Sequence, residues 1–280
     1  MATVTTPDGV ALHVVECGRA DGPPLLVLHG GPAAHHDYLL PGLAALGDTF
    51  RVVLYDQRGG GKSVAAREAD LGWERHVEDV ATVIGALGLG RPHVLGYSFG
   101  GLWALLHAAR RPELVDKLAL VSGVPGHDGF RAELEARLAE AQTRPDVVAE
   151  RAALDRSGLK DGMPDEYRRR RFALSIAGYV KDLRHAYAVT PFKVAARAAD
   201  LIRTSLGAGF DFRAELGAID GARTLFVHGA DDPLDCRHAH ALADQLGAKY
   251  AEIQACGHVP YVEAPAEFFA IVRGFFGGSP

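Results

Sequence analysis

Short apolar runs that alternate with helical patterns constrain this chain more than any other feature. The runs are Val10–Val15, Pro24–Leu28, Arg51–Tyr55, Pro92–Leu95 and Leu118–Ser122. Between them, Trp73, Val77, Val80, Ile84 and Leu87 recur at spacings of four and three, which is one face of a helix. Leu102, Leu105, Leu106 and Ala109 repeat that pattern, and Pro112 marks its end. Strands that alternate with helices need crossover connections, so the expected fold is α/β with a largely parallel sheet. The runs PLLVL and KLALV are apolar almost throughout, as expected of strands covered on both faces. A chain of 280 residues, 48% apolar, buries roughly three quarters of its unfolded surface and needs no disulfide or metal to hold a core.

The rhythm breaks near Pro125. From about His127 to Leu206 no strand pattern is found. Phe130, Leu134 and Leu138 recur at helical spacing, as do Phe172, Ile176, Val180, Leu183 and Tyr187. Pro164-Asp165-Glu166 reads as a helix start, which makes Arg168 to Arg171 a solvated helix face. Strand and helix patterns return with Arg223–Val227, Arg237–Leu246, Tyr250–Ile253 and Pro265 to about Phe275. The expected organisation is a core of residues 1–125 and 207–280 carrying a helical cap, residues 126–206. An insertion of that length usually serves function, often as a lid.

The formal net charge of −5 argues against nucleic-acid binding. Three cysteines, Cys17, Cys236 and Cys256, form no C-x-x-C pair and point to a reducing, cytoplasmic setting. The first residues, MATVTTPDGV, carry no basic and apolar signal pattern, and no apolar run approaches the ~20 residues of a membrane span.

The chemistry is concentrated in Gly96-Tyr97-Ser98-Phe99-Gly100, a G-x-S-x-G between a strand pattern and a helix pattern. A turn that tight holds the serine at strained dihedrals, and glycine two residues before and after removes steric clashes. Ser98 then stands at a helix N-terminus, where the Phe99 N–H and the helix dipole favour developing negative charge. His29-Gly30-Gly31-Pro32 follows PLLVL and offers the Gly31 N–H as the second donor of an oxyanion hole. His29 itself is expected to organise that loop by hydrogen bonds. A serine nucleophile needs a base, and the base needs an orienting acid. His258, in Ala255-Cys256-Gly257-His258, and Asp232, in His228-Gly229-Ala230-Asp231-Asp232-Pro233, each sit just past a strand pattern. His258 is assigned as base and Asp232 as acid, with Asp231 as the rival acid.

Other motifs are set aside. Gly59-Gly60-Gly61-Lys62-Ser63 lacks the upstream glycine of a phosphate loop because position 56 is Asp56. Asp56 and Arg58 are instead expected to brace a tight turn. His238-Ala239-His240 matches no zinc spacing, and His35-His36-Asp37 reads as a polar loop at the site mouth, so no metal and no cofactor are expected. Cys256 reads as a small buried filler.

With HGGP at 29–32, YDQRGGGKS at 55–63, GYSFGG at 96–101, HGADDP at 228–233 and GHVPYVEAP at 257–265, the chain resembles the α/β-hydrolases. Within them it resembles the proline iminopeptidase group. The resemblance implies an eight-stranded sheet with a helical cap between strands six and seven. It also implies Ser98 as nucleophile, His258 as base, Asp232 as acid, and Gly31 with Phe99 as oxyanion hole. Tyr97 and Phe99 depart from the group's usual G-G-S-W-G, Ala33-Ala34 follow HGGP where Gly is more usual, and the cap has no Trp. The implied function is hydrolysis of an ester or amide bond in a small-molecule or short-peptide substrate. The alternatives are a carboxylesterase or lactonase without peptidase activity and, third, a ligand-binding protein without turnover.

Overall fold

In Pro24–Leu28, successive side chains pass alternately to two different cores: Leu26 and Leu28 to one, Leu25 and Val27 to the other. A strand buried on both faces belongs inside a sheet covered by helices on each side. A computed structural model describes residues 2–65 and 67–277 and has this arrangement. The strands are β1 (Ala2–Thr5), β2 (Ala11–Gly18), β3 (Pro24–Leu28), β4 (Arg51–Tyr55), β5 (His93–Tyr97), β6 (Leu118–Val121), β7 (Thr224–Gly229) and β8 (Lys249–Ile253). They form one 8-stranded sheet in the order β1-β2-β4-β3-β5-β6-β7-β8. β2 runs antiparallel to β1 and β4, and every other pairing is parallel. The fold is therefore α/β with a mostly parallel sheet, as the sequence implies.

The longer helices are α1 (Trp73–Ala86), α2 (Phe99–Arg110), α3 (Arg131–Ala141), α4 (Pro145–Arg156), α5 (Pro164–Ser175), α6 (Ala196–Leu206), α7 (Cys236–Leu246) and α8 (Pro265–Phe276). On one face of the sheet, α1, α2 and α7 contribute Val80, Trp103 and Leu242 to the core; on the other, α8 contributes Phe268 and Val272. Between β6 and β7, residues 131–206 form helices and turns and no strand.

Two expectations need correction. The spacing of Phe172, Ile176, Val180, Leu183 and Tyr187 predicts a continuous helix, but α5 stops at Ser175. A single 3₁₀ turn, Ala177–Tyr179, follows it, and Val180 is extended. The break has a tertiary cause, because the Tyr179 carbonyl accepts the His258 N–H at 2.7 Å instead of continuing a helix. The first strand, β1, has no sequence signal, since Val4 alone among its four residues is buried.

Candidate active site

Ser98 joins β5 to α2 at φ 53°, ψ −121°, a conformation unfavourable for a side-chain-bearing residue. The flanking glycines make the turn possible. A Cβ on Gly96 would lie 2.7 Å from the Gly101 Cα, and one on Gly100 would lie 2.4 Å from the carbonyl oxygens of both Leu28 and His29. β3 pairs directly with β5, so its C-terminal end presses against the start of α2 and leaves no room for a methyl group. Phe99 opens α2, where backbone N–H groups have no intrahelical acceptor.

The neighbouring strands β7 and β8 deliver the other two candidates from their C-terminal ends. The His258 Nδ1–H donates to the Asp232 carboxylate, 2.9 Å from Oδ1 and 3.0 Å from Oδ2. A carboxylate only accepts, so the proton sits on Nδ1 and leaves Nε2 free to accept. The Ser98 hydroxyl donates to that Nε2 at 2.9 Å. Asp231, the rival acid, turns away and pairs with Lys181 at 2.5 Å. Burial pushes the Asp232 carboxyl up, but the His258 and His228 imidazoles and the Leu234 N–H outweigh it and hold the group below its ordinary value. His228, wholly buried, donates through Nε2 to the Leu234 carbonyl at 2.8 Å, and that nitrogen lies 3.2 Å from Asp232 Oδ2.

The third element, after β3, packs close to the serine. A Cβ on Gly30 would be 2.8 Å from the Ser98 Cβ, and the Gly30 N–H donates to the Tyr38 hydroxyl at 2.8 Å. Gly31, at φ 142°, lines the same cavity as Ser98. His29 does organise the loop: its Nδ1–H donates to the Gly30 carbonyl at 2.7 Å, and its Nε2 accepts the Gln57 N–H at 3.0 Å. Burial holds its pKa down at about 4, so it stays neutral.

Three residues outside the predicted set hold His258 in place. Its N–H donates to the Tyr179 carbonyl, and its own carbonyl accepts the Tyr97 hydroxyl at 3.1 Å. Glu263 Oε1 accepts the N–H groups on both sides of it, Gly257 at 3.0 Å and Val259 at 3.2 Å. Glu263 Oε2 accepts the Lys181 N–H at 2.8 Å, tying the loop to the helical segment. Tyr97 lies inside G-x-S-x-G and Glu263 inside GHVPYVEAP, where a signal existed, whereas Tyr179 sits in the broken helix and had none.

A cavity of about 360 Å³ opens onto Ser98 and His258. Its walls are mainly aromatic and aliphatic, with Tyr38, Phe172, Ile176, Tyr179, Phe192 and Tyr261 most prominent. A second lobe of about 320 Å³ reaches Ser98 from the side of Phe130 and Leu134. The motifs set aside lie elsewhere. Asp56 braces the glycine turn by accepting the N–H groups of His36 at 2.9 Å and Lys62 at 2.8 Å. Arg58 does not share that task; it is buried against Asp79 at 2.6 Å and Asp8 at 2.8 Å. His240 stacks on Tyr250 with ring centroids 4.5 Å apart, while His238 faces Glu133. Cys256 is fully buried. No helix among the described residues is long and apolar enough to cross a membrane.

Comparison with known proteins agrees with this fold. Residues 23–265 match the family model described as alpha/beta hydrolase fold. The proline iminopeptidase of Lactobacillus crispatus is 26% identical over 271 residues, 91% of this chain and 90% of that protein. The RutD protein of Agrobacterium fabrum is 36% identical over 112 residues; the matching stretch is 40% of this chain and spans less than half, 43%, of RutD. Among solved structures, the proline iminopeptidase-related protein TTHA1809 of Thermus thermophilus superposes with a TM-score of 0.71 at 25% identity, covering 99% of this chain and 96% of that one. A hydrolase from Pseudomonas aeruginosa superposes with a TM-score of 0.67 at 26% identity, covering 99% and 98%. The chain belongs to the alpha/beta hydrolase fold family.

Proposed function

We propose that this protein is a serine hydrolase that cleaves small esters through an acyl-enzyme on Ser98. The observation that carries the proposal is the unbroken hydrogen-bond chain from the Ser98 hydroxyl through His258 to Asp232, opening onto an apolar cavity. In this reading His258 Nε2 takes the hydroxyl proton as Oγ attacks the ester carbonyl. Asp232 holds the imidazole tautomer and stabilises the imidazolium that forms. The N–H groups of Gly31 and Phe99 receive the oxyanion, each donor worth roughly 3 kcal/mol by analogy with other hydrolases. The leaving alcohol takes the proton back from His258, and water then releases the acid by the same route. Residues 126–206 act as a cap over the core of residues 1–125 and 207–280: Phe172, Ile176 and Phe192 of this segment wall the cavity. The unpaired thiols of Cys17, Cys236 and Cys256 fit a reducing compartment such as the cytoplasm.

The similarity to proline iminopeptidases favours a second reading, cleavage of an N-terminal residue. That reaction needs an acid to anchor the substrate's ammonium group. Glu135 lines the smaller lobe at Ser98 and could serve, whereas Glu150 and Glu166 are engaged by Arg170 at 3.5 and 3.6 Å, and Glu150 also accepts the Tyr187 hydroxyl. None of these is among the described residues lining the 360 Å³ cavity, and no other Asp or Glu is. The larger lobe, with no carboxylate among its described lining residues, favours the ester reading. Its test is kcat/KM for 4-nitrophenyl butyrate against proline 4-nitroanilide, each corrected by a Ser98→Ala control. The expected result is Ser98-dependent ester cleavage at least about 100-fold faster than amide cleavage, and a preference for the prolyl amide would replace this reading with the aminopeptidase one.

A further inference from the structure

Arg203, in the last turn of α6, lines both lobes that meet at Ser98. Its side chain is 38% exposed and pairs at 3.2 Å with Asp200, which is itself 72% exposed. A pair that open to water is worth little and leaves most of the five guanidinium N–H donors free. No carboxylate among the described residues of the larger lobe neutralises it. In the smaller lobe Arg131 is already held by Asp128 at 2.6 Å, and Glu135 is the one acid among the described lining residues. Arg203 thus places a permanent positive charge beside Tyr179 and His258 in a larger lobe whose described lining holds no other Asp, Glu, Lys or Arg. A guanidinium in that setting favours a planar, two-oxygen anion, which it grips through paired N–H donors.

The approach to the site carries the same sign. Beyond Phe172 and Phe192, an outer groove is lined by Arg168, Arg169 and Lys193, with Asp165 as the acid among its described residues and Arg169 3.6 Å from Glu166. Asp165 is taken by Arg168. On a chain of net charge −5 this is a locally cationic mouth, suited to drawing in an anion.

We propose that Arg203 is the specificity-determining residue of this site and that the preferred substrates are esters bearing a carboxylate on one of the two fragments joined by the scissile bond. This rests on the serine-hydrolase reading above. The test uses two matched pairs of esters. Mono-4-nitrophenyl adipate against 4-nitrophenyl hexanoate places the carboxylate on the acyl side. 4-Acetoxybenzoate against 4-methylphenyl acetate places it on the leaving side. The readout is the anionic-to-neutral ratio of kcat/KM in the wild-type protein, Arg203→Gln, Arg203→Lys and Ser98→Ala. For at least one pair the ratio falls at least about tenfold in Arg203→Gln and recovers in part in Arg203→Lys. In the wild type, the same ratio falls as salt is raised, a measurement independent of how the variants fold. Ratios unchanged by Arg203→Gln in both pairs, with turnover still dependent on Ser98, overturn the role of Arg203 and leave the hydrolase reading standing. Absence of Ser98-dependent turnover for all four esters overturns the hydrolase reading itself.

Discussion

At the scale of single residues, the candidate site depends on backbone groups being held as firmly as side chains. Glu263 shows this best, since one buried carboxylate accepts three N–H groups, from Gly257, Val259 and Lys181. Glu263→Gln replaces an accepting oxygen with a donating nitrogen, so at least one N–H loses its partner. The expected outcome is a loss of about 1–3 kcal/mol of stability in urea unfolding and a fall on the order of tenfold in kcat/KM for a simple ester, because the loop carrying His258 loosens. Unchanged values for both would mean that the brace is idle. Ser98, His258 and Asp232 were legible in the sequence because each lies just past an apolar strand pattern, and parallel strands bring such ends together. The choice of Asp232 over Asp231 was open from spacing alone, and it turns on which carboxylate faces inward from the end of β7. Tyr179 was not legible, because its hydrogen bond to the His258 N–H joins segments far apart in the chain.

At the scale of elements, the central strands and the helices covering them matched their patterns within about two residues. Leu25 to Leu28 are fully buried, and so is Trp103 in α2, so burial and periodicity carry the same message there. The edge strand and residues 131–206 were less legible. β1 has one buried side chain, and α4 buries only Val147 and Leu154, too few for a periodic stripe. The helical spacing through Phe172 to Tyr187 was real as a pattern of burial but not as one helix. Leu183 and Ala186 are buried on a separate short helix, Leu183–Ala186, after the chain turns at Val180 to meet His258. A local pattern reports which side chains are covered, and a tertiary hydrogen bond decides where the helix stops.

At the scale of the whole molecule, buried neutral imidazoles tie the fold to pH. Burial holds His29 and His107 down at about 4 and His76 at about 3. In the unfolded chain each takes up a proton near pH 6.5. Below that pH the unfolded state binds more protons than the folded one, so acid favours unfolding until the folded values are reached. Asp79, pushed up to about 6 by burial despite the Arg58 guanidinium, works in the opposite direction but is one group against three. The urea midpoint is therefore expected to be nearly flat above pH 7 and to decline by several kcal/mol equivalent between about pH 6.5 and 4. A midpoint independent of pH over that range would contradict the burial of these rings. Activation of Ser98 by His258 and Asp232 is tested by treating the full chain with a fluorophosphonate and measuring intact mass and the modified peptide. The expected result is a single adduct on Ser98, absent in Ser98→Ala and formed on the order of 10²-fold or more slowly in Asp232→Asn. A folded protein that gains no mass, or one labelled elsewhere with Ser98 untouched, would contradict it.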